Sequence, residues 1–173
     1  MKKTNVNTKN IIVNYGIILG GILVFTSLIQ YATGTHLEPE KSIGIISFLL
    51  IIAVIVMGVK KFKSENNNSI SFGEAVKIGV GISILSALIT VIYNLIFVNF
   101  IEPDFIDQLD LKQEEMMYNS GMSDEQIEKT IEIGKKFKGP FISSAIGIIA
   151  SAFLGFVISA ITGAIIKTPQ IKE

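Results

Sequence analysis

Four stretches of this chain contain no lysine, aspartate or glutamate, and together they decide the class of protein it belongs to. They cover residues 10–37, 42–59, 78–101 and 139–166, and His36 is the one titratable exception besides tyrosine. A hydrocarbon core about 30 Å thick needs roughly 20 helical residues, within a range of about 17 to 25. Each stretch therefore predicts a helix that crosses a membrane.

The composition supports a membrane protein and excludes several other classes. Only 17% of the 173 residues are charged, against about a quarter in soluble domains, and the mean hydropathy is +0.55. Because there is no cysteine, a disulfide framework and a thiolate metal site are excluded. The formal net charge is zero and every cation is lysine, which argues against a nucleic-acid partner.

We predict an all-α fold in which one membrane domain occupies residues 1–173 as an antiparallel bundle of four transmembrane helices. The expected spans are 11–31, 43–59, 75–100 and 141–166, with the lipid bilayer as their partner. The first span resembles a cleaved signal sequence in following a lysine-rich N-terminus, but a signal core is only about 7 to 15 residues long. A retained membrane anchor is therefore the favoured interpretation.

The lysines are distributed unequally between the two sides that this topology creates. The segments on the side of the termini hold nine lysines and three acids, and the other segments hold six lysines and twelve acids. The positive-inside rule then predicts that both termini are cytoplasmic.

The longest connector, residues 103–138, predicts an external hairpin of two amphipathic helices. Ser123 and Gln126 fit a capping box at the start of its second helix, and Glu125 and Lys129 fit an i,i+4 ion pair. We interpret the acids of this hairpin as a solvated face, because no calcium-binding loop pattern is present. A further capping box, Ser71 to Glu74, is predicted at the start of the third span.

The fourth span carries small residues at every fourth position, a spacing that lets membrane helices approach closely. This packing ridge consists of Ser143, Gly147, Ser151, Gly155, Ser159 and Gly163. Packing within the bundle is the favoured interpretation. The alternative is that the fourth span contacts a second copy of the chain or a membrane-protein partner.

Few polar residues in or near the spans are candidates for chemistry. We single out Glu74 and Lys77, because an acid beside an ammonium at a membrane can serve as an ion relay, and Asn94, as a residue that can line a polar path. Both charges lie in the first two turns of the third span, where capping and snorkelling are the simpler roles. His36 is interpreted as a loop residue, and no cofactor, metal or catalytic set is predicted.

Three places in the chain carry a family resemblance. They are the segment ISFGEAVKIG at 70–79, the segment NFIEPDF at 99–105, and the acidic helical segment before the fourth span. On the basis of these three segments, the whole chain resembles the DUF4199 family of small bacterial integral membrane proteins, which has no known function. The resemblance implies a location in the inner membrane of a Gram-negative bacterium, and it supplies no functional residues.

Three functional hypotheses follow. The leading one is a non-enzymatic structural or accessory protein of the membrane, because the chain has a packing ridge and no convergent set of ionisable groups. The alternative is a channel or carrier for a small solute or ion that acts as an oligomer. The weakest is a lipid-modifying enzyme with a serine–lysine dyad around Lys77.

Overall fold

The computed structural model describes residues 7–38, 40–137 and 140–168, and in them the chain is helical, with no strand. The α-helices are α1 (Thr8–Ala32), α2 (Lys41–Glu65), α3 (Phe72–Ile96), α4 (Phe105–Asn119), α5 (Asp124–Phe137) and α6 (Pro140–Ile166). A π-helical turn, Phe97–Ile101, extends α3. Lys138, the last residue of the predicted hairpin segment, lies outside the described residues.

Four of these helices are long and apolar enough to cross a membrane: α1, α2, α3 with its π-helical turn, and α6. Their outward faces carry large apolar side chains, such as Phe25, Phe153 and Ile165, which are 65%, 68% and 77% exposed. A soluble protein does not expose such a continuous apolar surface. The prediction of an all-helical membrane protein with four spans is confirmed.

The helices extend beyond several of the predicted spans, because charged side chains are compatible with helix that emerges from the lipid. α2 continues as far as Glu65, past the last residue of the apolar run, and Lys61 pairs with Glu65 at 3.1 Å. The lysines of this last part of α2 can place their ammonium groups among headgroups and water.

The third helix lies at the centre of the bundle, since α1, α2 and α6 all pack against it. Against α1 the packing is reciprocal: Leu85 of α3 lies over Gly16 of α1, and Ile12 of α1 lies over Gly81 of α3. Ile89 continues this contact one turn further, over Gly20. Glycines in these positions allow the close helix approach on which association in lipid depends.

Both predicted capping boxes are present. The hydroxyl of Ser71 accepts a hydrogen bond from the amide of Glu74, whose carboxylate accepts one from the amide of Ser71 at 2.8 Å. Ser123 and Gln126 exchange the equivalent bonds at the start of α5. The predicted pair of Glu125 and Lys129 is also formed, at 2.6 Å.

The bundle has two distinct ends. At one end, which we call the terminal end, α1 begins and α6 finishes; the other, the hairpin end, carries the α1–α2 loop, α4 and α5. At the terminal end the ammonium of Lys63 donates to the carbonyl of Ile166 at 2.7 Å. The amide of Thr168 donates to the carbonyl of Ile70 at 2.9 Å, and the amide of Ile70 donates to the hydroxyl of Thr168 at 3.0 Å. These contacts tie the last turn of α6 to α2 and the α2–α3 loop.

Candidate functional site

Five side chains from separate parts of the sequence meet at the hairpin end, and we call them the hairpin-end cluster. They are Tyr31 at the end of α1, His36 in the α1–α2 loop, Phe97 in the π-helical turn, Glu102, and Phe105 at the start of α4. Phe97 is buried at the centre, with ring centroids 5.1 Å from Tyr31 and 5.3 Å from Phe105. Aromatic pairs of this kind contribute about 0.5–1.5 kcal/mol each. The cluster therefore joins α1, α3 and α4.

The histidine of this cluster is enclosed. Its ring is stacked on Phe105 with centroids 5.9 Å apart and meets Tyr31 edge-on at 5.2 Å. Nε2 lies 2.9 Å from Oε2 of Glu102, and both side chains are less than one-fifth exposed. The two groups are close enough for an ion pair but are not aligned for a hydrogen bond, and Nδ1 has no hydrogen-bond partner among the described residues.

A second contact fastens α4 to the α1–α2 loop. The ammonium of Lys112 contacts the carboxylate of Glu38 in that loop, and it also pairs with Glu115 one turn along α4 at 2.8 Å. These groups are partly exposed, so each pair contributes only about 0–1 kcal/mol. With the hairpin-end cluster, the ion pairs give α4 two points of attachment to the bundle.

The sequence interpretation of His36 as a plain loop residue missed this arrangement. Its partner Glu102 is far away in the sequence, and only the packing of α1 against α3 brings the two together. The one available signal was the coincidence of a single histidine with aromatic residues at the predicted membrane boundaries, Tyr31 and Phe97. Such aromatics are equally typical of interface anchors.

A groove of about 570 Å³ lies between α4 and α5, and we call it the hairpin groove. α4 lines it with Glu114 and Tyr118, and α5 lines it with Asp124, Ile127, Glu128, Ile131, Glu132 and Lys135. The turn between the two helices passes through Gly121, whose φ of +82° is a backbone conformation that suits glycine. Ile127 and Ile131, one turn apart on α5, border the groove.

The polar candidates chosen from sequence lie apart from these features. The carboxylate of Glu74 accepts hydrogen bonds from the amide and hydroxyl of Ser71, each 2.8 Å long, as part of the capping box. Lys77 and Asn94 are exposed. The structure does not bring the three into one site, and an ion relay through Glu74 and Lys77 stays a prediction.

The packing ridge of α6 is divided into two halves. Gly155, Ser159 and Gly163 are buried against α3, where they meet Ser83, Gly79 and Ala75 respectively. Ser151, one turn nearer the hairpin end than Gly155, is half-buried. Ser143 and Gly147, nearer the hairpin end, are exposed, and a methyl group added to Gly147 would meet nothing within 4 Å.

Hydroxyl groups within the spans mostly bond to their own helix. Thr26, Thr90 and Thr162 each donate to the carbonyl four residues earlier, at 2.8 to 3.0 Å. Ser83 differs, because its buried hydroxyl has no partner among the described residues. It lines a cavity of about 30 Å³ where α1, α2, α3 and α6 meet, a space of the size that one water molecule needs.

Comparison with known proteins yields one family. A family model described as a protein of unknown function, DUF4199, matches residues 14–168. No curated protein and no solved structure matches the chain.

Proposed function

The chain belongs to the DUF4199 family of proteins of unknown function, and we propose that it is a non-enzymatic accessory protein of the bacterial inner membrane. In this proposal the bundle holds the α4–α5 hairpin at the outer surface, where the hairpin contacts a partner protein. Both termini are cytoplasmic, in agreement with the nine lysines and three acids of the segments at the terminal end.

The observation that carries the proposal is the way the hairpin is mounted. α4 is attached to the bundle through the hairpin-end cluster and through Lys112, whereas the hairpin groove stays open. A helix pair that is fixed on one side and open on the other is suited to presenting a surface to a partner. The bundle supports this role as a mount, because α3 packs closely against α1 and α6 at positions occupied by glycine.

Site-specific photo-crosslinking in native membranes tests this role. A photoreactive phenylalanine analogue replaces Tyr118, which is 51% exposed in the groove, or Phe153, which is 68% exposed on the apolar outer face of α6. We expect a discrete protein adduct from position 118, reproduced in independent preparations, and lipid adducts from position 153. Lipid adducts alone from both positions would contradict the proposal.

Flux measurements distinguish this role from the channel or carrier alternative. We expect vesicles that contain the purified protein to release potassium, protons and small solutes no faster than empty vesicles. A protein-dependent flux that Glu74→Gln or Lys77→Met abolishes would favour the alternative instead.

A further inference from the structure

The last turns of α5 carry an exposed apolar face, and we propose that this face docks on the bilayer, with Ile133 and Phe137 inserted among the lipids of the leaflet at the hairpin end. Lipid contact at this face goes beyond the proposed accessory role. It requires only the spanning helices and holds whether or not the hairpin has a protein partner.

Two large apolar side chains of α5 are uncovered within the hairpin. Ile133 is 57% exposed and Phe137, one helical turn further, is 55% exposed, whereas Ile127 is only 2% exposed. Ile131 and Lys135, which line the hairpin groove, each lie two residues from Ile133 and therefore about 200° away around the helix. Ile133 and Phe137 thus occupy the side of α5 that is directed away from the groove.

The chain holds this face close to a membrane span. Only two residues separate Phe137 from Pro140, the first residue of α6, and three Cα steps of about 3.8 Å reach at most about 11 Å. α6 then begins its apolar span with Phe141, which is 88% exposed. The exposed apolar surface of α5 therefore continues, within a few residues, into the lipid-facing surface of α6.

The length of α6 sets the level of this junction in the bilayer. Its apolar span, Phe141–Ile166, contains 26 residues, and at about 1.5 Å per residue it is about 9 Å longer than the hydrocarbon core is thick. At the terminal end the carbonyl of Ile166 accepts a hydrogen bond from the ammonium of Lys63, a group that suits headgroups and water. An excess shared by the two ends places Phe141 among the headgroups of the opposite leaflet, and Phe137 within reach of the same layer.

The charges of α5 agree with this orientation. Asp124 and Glu128 line the groove on the side of the helix opposite to Ile133 and Phe137, so they stay in water when that apolar face rests on lipid. Helices with one apolar and one charged face bind in this way at membrane interfaces, where aromatic side chains are enriched. The same orientation directs the hairpin groove away from the bilayer.

Tryptophan fluorescence of the full-length protein tests the docking. The natural chain has no tryptophan, so Phe137→Trp supplies a single reporter in purified protein reconstituted into phosphatidylcholine vesicles, with or without bromine on the upper part of the acyl chains. Tyr118→Trp is the matched control, because Tyr118 is an aromatic residue of the same hairpin with a similar exposure, 51% against 55%, but lines the groove. Ile133→Trp reports on the proposed face one turn away, and Phe153→Trp on the lipid-facing surface of α6.

We expect brominated lipid to quench the indole at position 137 at least about twofold more than the indole at 118, and aqueous acrylamide to show the reverse preference. Position 133 should behave like 137, and either variant alone is sufficient if the other does not fold. Equal quenching of positions 137 and 118 by brominated lipid would overturn the inference. So would indoles at 133 and 137 that are shielded from both quenchers, since protein, such as a second copy of the chain, would then cover the face. The photo-crosslink at position 118 tests the accessory role separately, so the two proposals can fail independently.

Discussion

At the scale of single residues, Ser83 and His36 have buried polar atoms without a hydrogen-bond partner in the described part of the chain. Ser83 is a buried hydroxyl without a partner among the described residues, in spans where most hydroxyls bond to their own helix. His36 is an enclosed imidazole at the hairpin end, packed against aromatic rings and beside the carboxylate of Glu102. Neither environment was foreseen from the sequence, because both depend on which residues of other helices come close.

Ser83→Ala is expected to leave the stability nearly unchanged. An unpaired buried hydroxyl costs free energy, and its removal offsets the loss of packing volume, so the free energy of unfolding should change by less than about 1 kcal/mol. Unfolding by dodecyl sulfate in mixed micelles measures this. A loss above about 2 kcal/mol would mean that the hydroxyl has a strong partner, such as an ordered water in the adjoining cavity.

His36→Ala is expected to loosen α4. The change removes the ring contact with Phe105 of α4, worth about 0.5–1.5 kcal/mol, so the amides of α4 should exchange hydrogen roughly two- to tenfold faster. Mass spectrometry of Phe105–Asn119 peptides follows the exchange. His36→Phe is the control, because it keeps an aromatic ring and should stay close to wild type. If His36→Phe exchanges as fast as His36→Ala, the contact with Glu102 and not ring packing holds the helix.

At the scale of helices, sequence analysis was most successful where structure is local. The apolar runs, both capping boxes and the Glu125–Lys129 pair depend on residues a few positions apart, and all are present. The ridge of α6 shows where this approach ends. Its six positions share one spacing, yet Gly155 is buried and Gly147 is exposed, because α3 covers only part of α6. Periodicity identifies a face of a helix but not how far along that face a neighbour extends.

Two of the three ridge glycines, Gly155 and Gly147, form a matched pair for testing this division. Gly155→Leu places a large side chain against Ser83 and the carbonyl of Gly79, and we expect a loss of at least about 1–3 kcal/mol in the free energy of unfolding. Gly147→Leu enters open space and should change it by less than about 0.5 kcal/mol. Both variants are measured by dodecyl sulfate titration in mixed micelles.

A comparable loss at Gly147 would contradict this division of the ridge. If that loss depends on protein concentration, it would show instead that a second copy of the chain covers Ser143 and Gly147. Mass determination of the protein–detergent complex by light scattering distinguishes this case from repacking within one bundle.

At the scale of the whole molecule, the zero net charge conceals a strong polarity. The segments at the terminal end carry an excess of six positive charges, from nine lysines and three acids, and those at the hairpin end carry an equal negative excess, from six lysines and twelve acids. A basic face suits the anionic lipids of a cytoplasmic leaflet. The acidic face is the one on which the structure mounts a hairpin with an open groove. Sequence alone predicted the polarity, but the groove required the packing of α5 against α4.

The orientation of this polar molecule is the central claim, and single-cysteine labelling tests it most directly. The natural chain has no cysteine, so Ser120→Cys in the exposed turn after α4 and Ser64→Cys near the exposed end of α2 each supply one reporter thiol. A membrane-impermeant maleimide is applied to intact cells whose outer membrane has been made permeable, and then to lysed cells. We expect Ser120→Cys to be labelled in intact cells and Ser64→Cys only after lysis. Labelling of Ser64→Cys in intact cells, with Ser120→Cys protected until lysis, would contradict the account.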